Sequence, residues 1–129
     1  MVQVSGPGGW TFDIDAEFQL IDDGHSIQGV VGDRVFYLSA MRITAVNKAP
    51  TAAELLTTAS RTLRSTERLS HHASAVEGEA EIRRNDDSFA LHGVMCSAGT
   101  VAACVISFRS LHEASWAESV WRSLTHNVS

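Results

Sequence analysis

The 129 residues of this chain, 44% hydrophobic and 19% charged, are typical of one globular domain that spans residues 1–129 and folds without metals or disulfides. The formal net charge of −5 argues against nucleic acid and against an anionic membrane as partners, because both attract basic surfaces. No apolar run reaches the roughly 20 residues of a membrane helix, and the first ten residues lack the pattern of a secretory signal, so we expect a cytoplasmic protein.

Two short strands and a turn are predicted near the beginning of the chain. Trp10, Phe12 and Ile14 alternate with polar residues, which predicts a half-buried strand. A second extended piece follows over residues 18–21, and the "DDGH" stretch, residues 22–25, turns the chain. Its two carboxylates and its imidazole could serve acid–base catalysis. Because the spacing matches no catalytic motif, a solvated turn is the preferred interpretation.

Residues 26–44 predict a β-hairpin. Gly32 and Asp33 supply a two-residue turn of the kind that joins antiparallel strands. The second arm is rich in β-forming residues, and its apolar residues point to both faces. We therefore expect a central strand that is covered on both sides.

Over residues 47–69 the spacing of the apolar residues changes from the alternation of a strand to the period of a helix, which predicts one amphipathic helix. Thr51 and Glu54 form a capping box, the signature of a helix N-terminus, and apolar residues then recur on one face. The opposite face carries the only basic cluster of the chain: Arg61, Arg64 and Arg68. Such a cluster could bind an acidic protein or phosphates, although a solvated outer face is the commoner case.

A polar connection and three antiparallel strands are predicted after this helix. The connection covers residues 70–78, and its neighbouring histidines are expected to be exposed: His71 and His72. The strands lie within residues 79–110 and are separated by turns at residues 85–87 and 97–100.

The chain's two cysteines lie on the last two of these strands. With a turn of even length, Cys96 lies opposite Val101 and Cys104 lies opposite Gly93, so the two thiols point to opposite faces. A turn of odd length would place their Cα atoms roughly 8 Å apart, which is beyond the span of a disulfide. We therefore expect free thiols, with Cys104 on the more apolar face of a core hairpin.

His92 and Cys96 are candidate ligand-binding residues on the milder face of this hairpin. They lie four residues apart on one strand, roughly 13 Å, and therefore cannot bind one metal ion. Zinc also needs three or four ligands, and no nucleotide-binding, hydrolase, zinc-protease or CxxC motif occurs. The sequence thus predicts no metal, no cofactor and no catalytic residue.

A second capping box, Ser110 with Glu113, opens a closing helix. The residues expected to be buried share one face: Ala114, Ala117, Val120, Trp121 and Leu124. Trp121 lies in the middle of that face and should anchor the helix on the sheet. Trp116 lies at its edge, where a partly exposed aromatic ring is typical of protein-binding surfaces.

In chain order these elements predict an α+β fold, a mainly antiparallel sheet flanked by two helices, in the order β-β-β-β-α-β-β-β-α. Three stretches resemble the PsbP-like fold: "PGGWTFDI", "PTAAELLTTASRTL" and "AACVISFRSLHEASWAESVWRSL". That family includes photosystem extrinsic proteins, a Ran-binding nuclear import factor and small bacterial chaperones or adaptors of secreted effectors. The resemblance implies binding through a sheet flanked by helices, rather than catalysis.

Two functions remain as hypotheses. The first is a non-enzymatic binding or adaptor domain, a chaperone or accessory protein of a bacterial secretion or toxin system, whose partner is another protein or a second copy. Its candidate contact residues are Trp116, Arg61, Arg64 and Arg68. The alternative is a small enzyme or ligand carrier with a pocket near His92. A large exposed apolar patch would favour the adaptor, and a polar pocket around His92 would favour the alternative.

Overall fold

The computed structural model describes residues 1–44, 48–73 and 75–126. Within these ranges two α-helices and antiparallel strands form an α+β fold, as predicted. The strands are β1 (Val2–Ser5), β2 (Trp10–Ile14), β3 (Gln19–Asp22), β4 (Ser26–Val31), β5 (Arg34–Arg42), β6 (Leu69–Ala73), β7 (Val76–Arg84), β8 (Phe89–Ser97), β9 (Thr100–Phe108) and β10 (Thr125–His126). The helices are α1 (Ala52–Ala59) and α2 (Ala114–Arg122).

The strands form two sheets. The larger sheet has seven strands in the order β3-β4-β5-β9-β8-β7-β6, and the smaller has three in the order β1-β2-β10. Both predicted hairpins are confirmed. Val31 pairs with Arg34 across the Gly32-Asp33 turn, and the β8–β9 turn has even length, so that Cys104 lies opposite Gly93 as expected.

The main core lies between one face of the large sheet and a layer made of α2 and the small sheet. Alternation along β2 buries Trp10, Phe12 and Ile14, as predicted. Phe12 stacks on Phe36 of β5 with ring centroids 4.6 Å apart. Trp121 of α2 is fully buried in the same core, which confirms its predicted role as the anchor of the closing helix.

α1 packs on the other face of the large sheet, against β7, β8 and β9. Its predicted capping box is present: the Glu54 N–H donates to Thr51 Oγ1 at 3.2 Å, and the Thr51 N–H donates to Glu54 Oε1 at 3.4 Å. Leu55 and Leu63 are buried beneath it. The helical layer on this face thus begins where the capping box predicts.

The helix is shorter than predicted. Regular α-helix ends at Ala59, one 3₁₀ turn (Ser60–Thr62) follows, and Leu63 is extended. The cause is a buried carboxylate on β7, Glu81, which accepts the backbone N–H groups that a continuing helix would use for its own hydrogen bonds. The predicted first residue, Asn47, lies outside the described residues.

Three strands were not predicted: β1, β6 and β10. The prediction of a polar connection over residues 70–78 was wrong, because β6 pairs with β7 there, at the edge of the large sheet. Its two neighbouring histidines are strand residues: His71 and His72. These edge strands are short, and polar or exposed side chains lie along them, so they lack the apolar alternation by which strands are recognised.

The expectation that the long arm of the first hairpin is covered on both sides was also wrong. Phe36 and Leu38 of β5 are fully buried, whereas Val35, Tyr37 and Met41 are 38%, 40% and 62% exposed. β5 is central within the sheet, but α1, on the outer face of the sheet, packs against β7, β8 and β9. The apolar residues on both sides of β5 therefore mark one core face and one exposed face.

Candidate functional site

Half of the outer face of the large sheet carries no helix in the described part of the chain. The outward-facing side chains of β3, β4, β5 and the neighbouring β9 lie on one surface, because cross-strand partners in an antiparallel sheet share a face. We call this surface the bare face. Its apolar members are Ile21, Val30, Val35, Tyr37, Met41, Val101, Ala103 and Val105.

None of the strand residues on the bare face is charged. Its remaining members are neutral and polar: Gln19, Ser26, Gln28, Ser39 and Ser107. Tyr37 lies at the centre, between Gln28 of β4 and Val105 of β9. The cores of protein interfaces are depleted in charged residues and enriched in Tyr and Met, and the bare face shares these two features.

A cavity of about 400 Å³ opens at the end of the bare face near the β3–β4 turn. It is lined by Asp23, His25, Ser26, Tyr37, Ser39, Ala40, Met41, Val101 and Ala103. Asp23 accepts the backbone N–H groups of His25 at 2.9 Å and of Ser26 at 2.8 Å, and these bonds hold the pKa of the Asp23 carboxyl below its usual value. The "DDGH" stretch is therefore an exposed turn held by its own aspartates.

His92 lies at the border between the bare face and the part of the sheet beneath α1. Its cross-strand neighbour on β9 is Val105, which in turn neighbours Tyr37. Partial burial lowers the pKa of His92, and the nearby positive charge of Arg83 lowers that pKa further. The imidazole is therefore uncharged near neutral pH.

Cys96 is fully buried on the same face of β8, and Cys104 is buried in the main core on the other face. Both thiols are free. Burial raises the pKa of each thiol to about 12, assisted at Cys96 by the negative charge of Glu77. Because the thiolate is the nucleophile, neither cysteine has the character of a reactive residue.

The three arginines predicted to share one helix face do not do so. Arg61 lies in the 3₁₀ turn, and Arg64 and Arg68 come after the helical residues. The Arg68 guanidinium donates to the Ser65 carbonyl at 2.8 Å and lies 3.7 Å from the Glu79 carboxylate. The prediction of a single basic stripe was wrong, because the helix ends at Ala59, before all three arginines.

Glu81, which the sequence reasoning missed, organises this region. Its carboxylate is buried on β7 and accepts hydrogen bonds from the Arg64 N–H, from the Ser65 N–H at 3.2 Å and from Arg83 Nε at 2.9 Å. Burial alone would raise the pKa of Glu81, but these hydrogen bonds outweigh it and lower the pKa. The sequence offers one signal for this residue: Glu81 lies within a predicted strand, between the apolar residues Ala80 and Ile82.

Trp116 is half-buried and packs against the main core, away from the bare face. Its Nε1–H donates to Asp15 Oδ1 at 3.1 Å, and its ring stacks on Phe18 with centroids 6.0 Å apart. The Arg34 guanidinium lies 4.2 Å from the ring centroid and 2.8 Å from a carboxylate oxygen of Glu113. Trp116 and the three arginines therefore contact different parts of the fold.

Within residues 1–44, 48–73 and 75–126, no group of three or more His, Cys, Asp or Glu side chains is arranged to hold a metal ion. Over the same residues, no helix combines the length and the apolar character needed to cross a membrane.

Comparison with known proteins finds a similar fold but does not assign the chain to a family. No protein-family model matches the sequence, and no curated protein matches it. A crystal structure of a protein from Bacteroides thetaiotaomicron VPI-5482 is similar over 98% of this chain, with a TM-score of 0.67 and 12% sequence identity. The chain spans about half of that protein, 48% of its length.

Proposed function

We propose that this protein is a non-enzymatic adaptor domain that binds another protein through its bare face. The observation that carries the proposal is the outward row of β5, where Val35, Tyr37 and Met41 are exposed among strand residues that carry no charge. Antiparallel sheets that face water usually present polar side chains on that side. The largest exposed apolar patch of a typical monomer covers about 300–600 Å² and is often functional.

The alternative function, a ligand pocket that uses His92 and Cys96, has less support. Cys96 is fully buried, and its raised pKa keeps the thiol protonated. The cavity beside the bare face is lined by neither His92 nor Cys96. Its Asp23 and His25 side chains belong to the exposed turn, and its Tyr37 and Met41 side chains suit contact with apolar groups.

The narrower hypothesis, a chaperone or accessory protein of a bacterial secretion or toxin system, rests on the resemblance to the PsbP-like fold. A surface that shields an apolar segment of a client would suit such a role. The identity of the bound protein would show whether it is a secreted effector or toxin.

Site-specific photocrosslinking tests the proposal. The photoreactive residue p-benzoylphenylalanine replaces Tyr37 in the protein expressed in its native cells, and a control carries the same residue at Ser115, which is exposed on α2 on the other side of the sheet. We expect a protein adduct from position 37 that is absent from position 115 and is lost in the Met41→Glu background.

The purified partner then provides a quantitative check. We expect Met41→Glu to weaken its binding at least tenfold in calorimetry, because a charge would be desolvated in the contact. The matched exposed variant Ser115→Glu should bind as the unmodified protein does. The proposal fails if positions 37 and 115 give the same adducts, or if Met41→Glu leaves the affinity unchanged.

A further inference from the structure

We infer that the partner places an amphipathic helix on the bare face, along β5 and beside α1. This inference rests on the proposed function and names the kind of segment that the site accepts. Its basis is the arrangement that the chain itself uses on the other half of the same face.

α1 shows how a helix packs on this sheet. The start of α1, at Thr51 and Ala52, borders the same cavity as Glu77 of β7, and the Thr62 carbonyl that follows α1 accepts a hydrogen bond from Arg83 Nη2 at 3.0 Å. The helical segment therefore runs along β7. Ten helical residues rise about 15 Å, a length that about four to five residues of a strand also span.

The spacing of helices and strands locates the position of a second helix. Neighbouring packed helices lie about 8–10 Å apart, and neighbouring strands lie about 4.8 Å apart, so adjacent helices on a sheet are separated by two strands. α1 packs against β7, β8 and β9, and the strand two places beyond β8 is β5. A helix beside α1 would thus lie over Val35, Tyr37 and Met41.

The size of the bare face favours a helix over a second copy of the chain. Four strands are about 19 Å wide, and the distance from Val35 to Met41 along β5 is about 20 Å, so the flat projected area of the surface is roughly 400 Å². A stable dimer buries about 800 Å² on each partner. A helix of about 13 residues spans the same 20 Å.

Two photoreactive positions on β5 measure the conformation of the bound segment. The p-benzoylphenylalanine residue replaces Val35 in one variant and Met41 in another, both at exposed positions. Mass spectrometry then locates the residue of the partner that each position labels. A helix places the two labelled residues about 10–14 apart, whereas an extended strand places them about six apart.

The outcomes separate this inference from the proposed function. A spacing of 10–14 residues, in a segment with apolar residues at helical intervals, supports the inference. A spacing near six shows an extended segment and overturns it, as do adducts to a second copy of this chain. Adducts no different from those at Ser115 would instead contradict the proposed function.

A synthetic peptide of the labelled segment gives an independent readout. We expect its circular dichroism to become helical when the protein is added, and we expect Met41→Glu to weaken binding at least tenfold relative to Ser115→Glu. A peptide that binds while it stays non-helical would overturn the inference and leave the adaptor function intact.

Discussion

The indole of Trp121 lies directly against the backbone of Gly93. A Cβ atom added at Gly93 would be 2.6 Å from Trp121 Cδ1 and 2.7 Å from its Nε1. The indole N–H donates to the carbonyl of Val94, the next residue on β8, at 3.3 Å. The closing helix is thus fixed to the sheet by a ring that requires a glycine beneath it.

Gly93→Ala should destabilise the protein by about 1–3 kcal/mol, the usual cost of overpacking a filled core. Urea denaturation measures this difference. The control is the same substitution in the Trp121→Phe background, where the smaller ring leaves room for the new methyl group and the cost should be lower. Equal costs in the two backgrounds would show that the indole is not what excludes a side chain from position 93.

The two tryptophans of α2 should differ in their contribution to stability. Trp121→Ala empties a fully buried site and should cost about 3–5 kcal/mol. Trp116→Ala removes a half-buried ring, a hydrogen bond to Asp15 and the contact with Arg34, and should cost about 1–2 kcal/mol. Urea denaturation of both variants tests the order, and a reversed order would mean that the helix is rotated about its axis.

The hairpin that carries the cysteines could be predicted because its two faces differ so clearly in the sequence. Leu91, Met95, Cys104 and Ile106 alternate with smaller or polar residues, and a turn of even length places them on one face. The end of α1 could not be predicted, since it depends on a carboxylate 17 residues away from Arg64. The bare face was hidden for a related reason: apolar side chains on β5 look the same whether a helix of this chain or a partner covers them.

Both thiols should be unreactive in the folded protein. Burial raises the pKa of each thiol to about 12, so the thiolate is scarce near neutral pH. Burial also keeps reagents in solution from reaching the two sulfur atoms. Labelling with 5,5′-dithiobis(2-nitrobenzoic acid) should reach two thiols in denaturant and neither at short times in buffer. Mass spectrometry after exposure to air should show no intramolecular disulfide, and a Cys96–Cys104 bond would contradict the observed strand register.

Stability should fall as the pH is lowered from 7.5 to 5. Burial lowers the pKa of His71, and Arg122 and His72 lower it further; the pKa of His92 is lowered in the same direction. The unfolded chain therefore binds protons more readily than the folded protein, so the stabilisation is complete above about pH 6.5 and is lost as the pH falls below that value.

The geometry around His71 gives this pH effect a specific location. Arg122 Nη1 lies 3.3 Å from His71 Nδ1 and donates to the Ser70 carbonyl at 2.7 Å, so a protonated His71 would face a guanidinium. Urea midpoints measured at pH 7.5, 6.0 and 5.0 should show a smaller decrease for His71→Gln than for the unmodified protein. His25→Gln, at the exposed β3–β4 turn, is the control; a decrease equal to that of the control would exclude His71 as the source.

The buried carboxylate of Glu81 should be essential to the end of α1. Glu81→Ala leaves the Arg64 and Ser65 N–H groups and the Arg83 guanidinium without their acceptor and should cost about 2–4 kcal/mol. Glu81→Gln keeps one acceptor oxygen and should cost less. Since Glu81→Ala removes the acceptor that competes for these N–H groups, helix content measured by circular dichroism should not fall in Glu81→Ala under conditions in which the variant stays folded. A loss of helix with unchanged stability would show that Glu81 supports α1 rather than ends it.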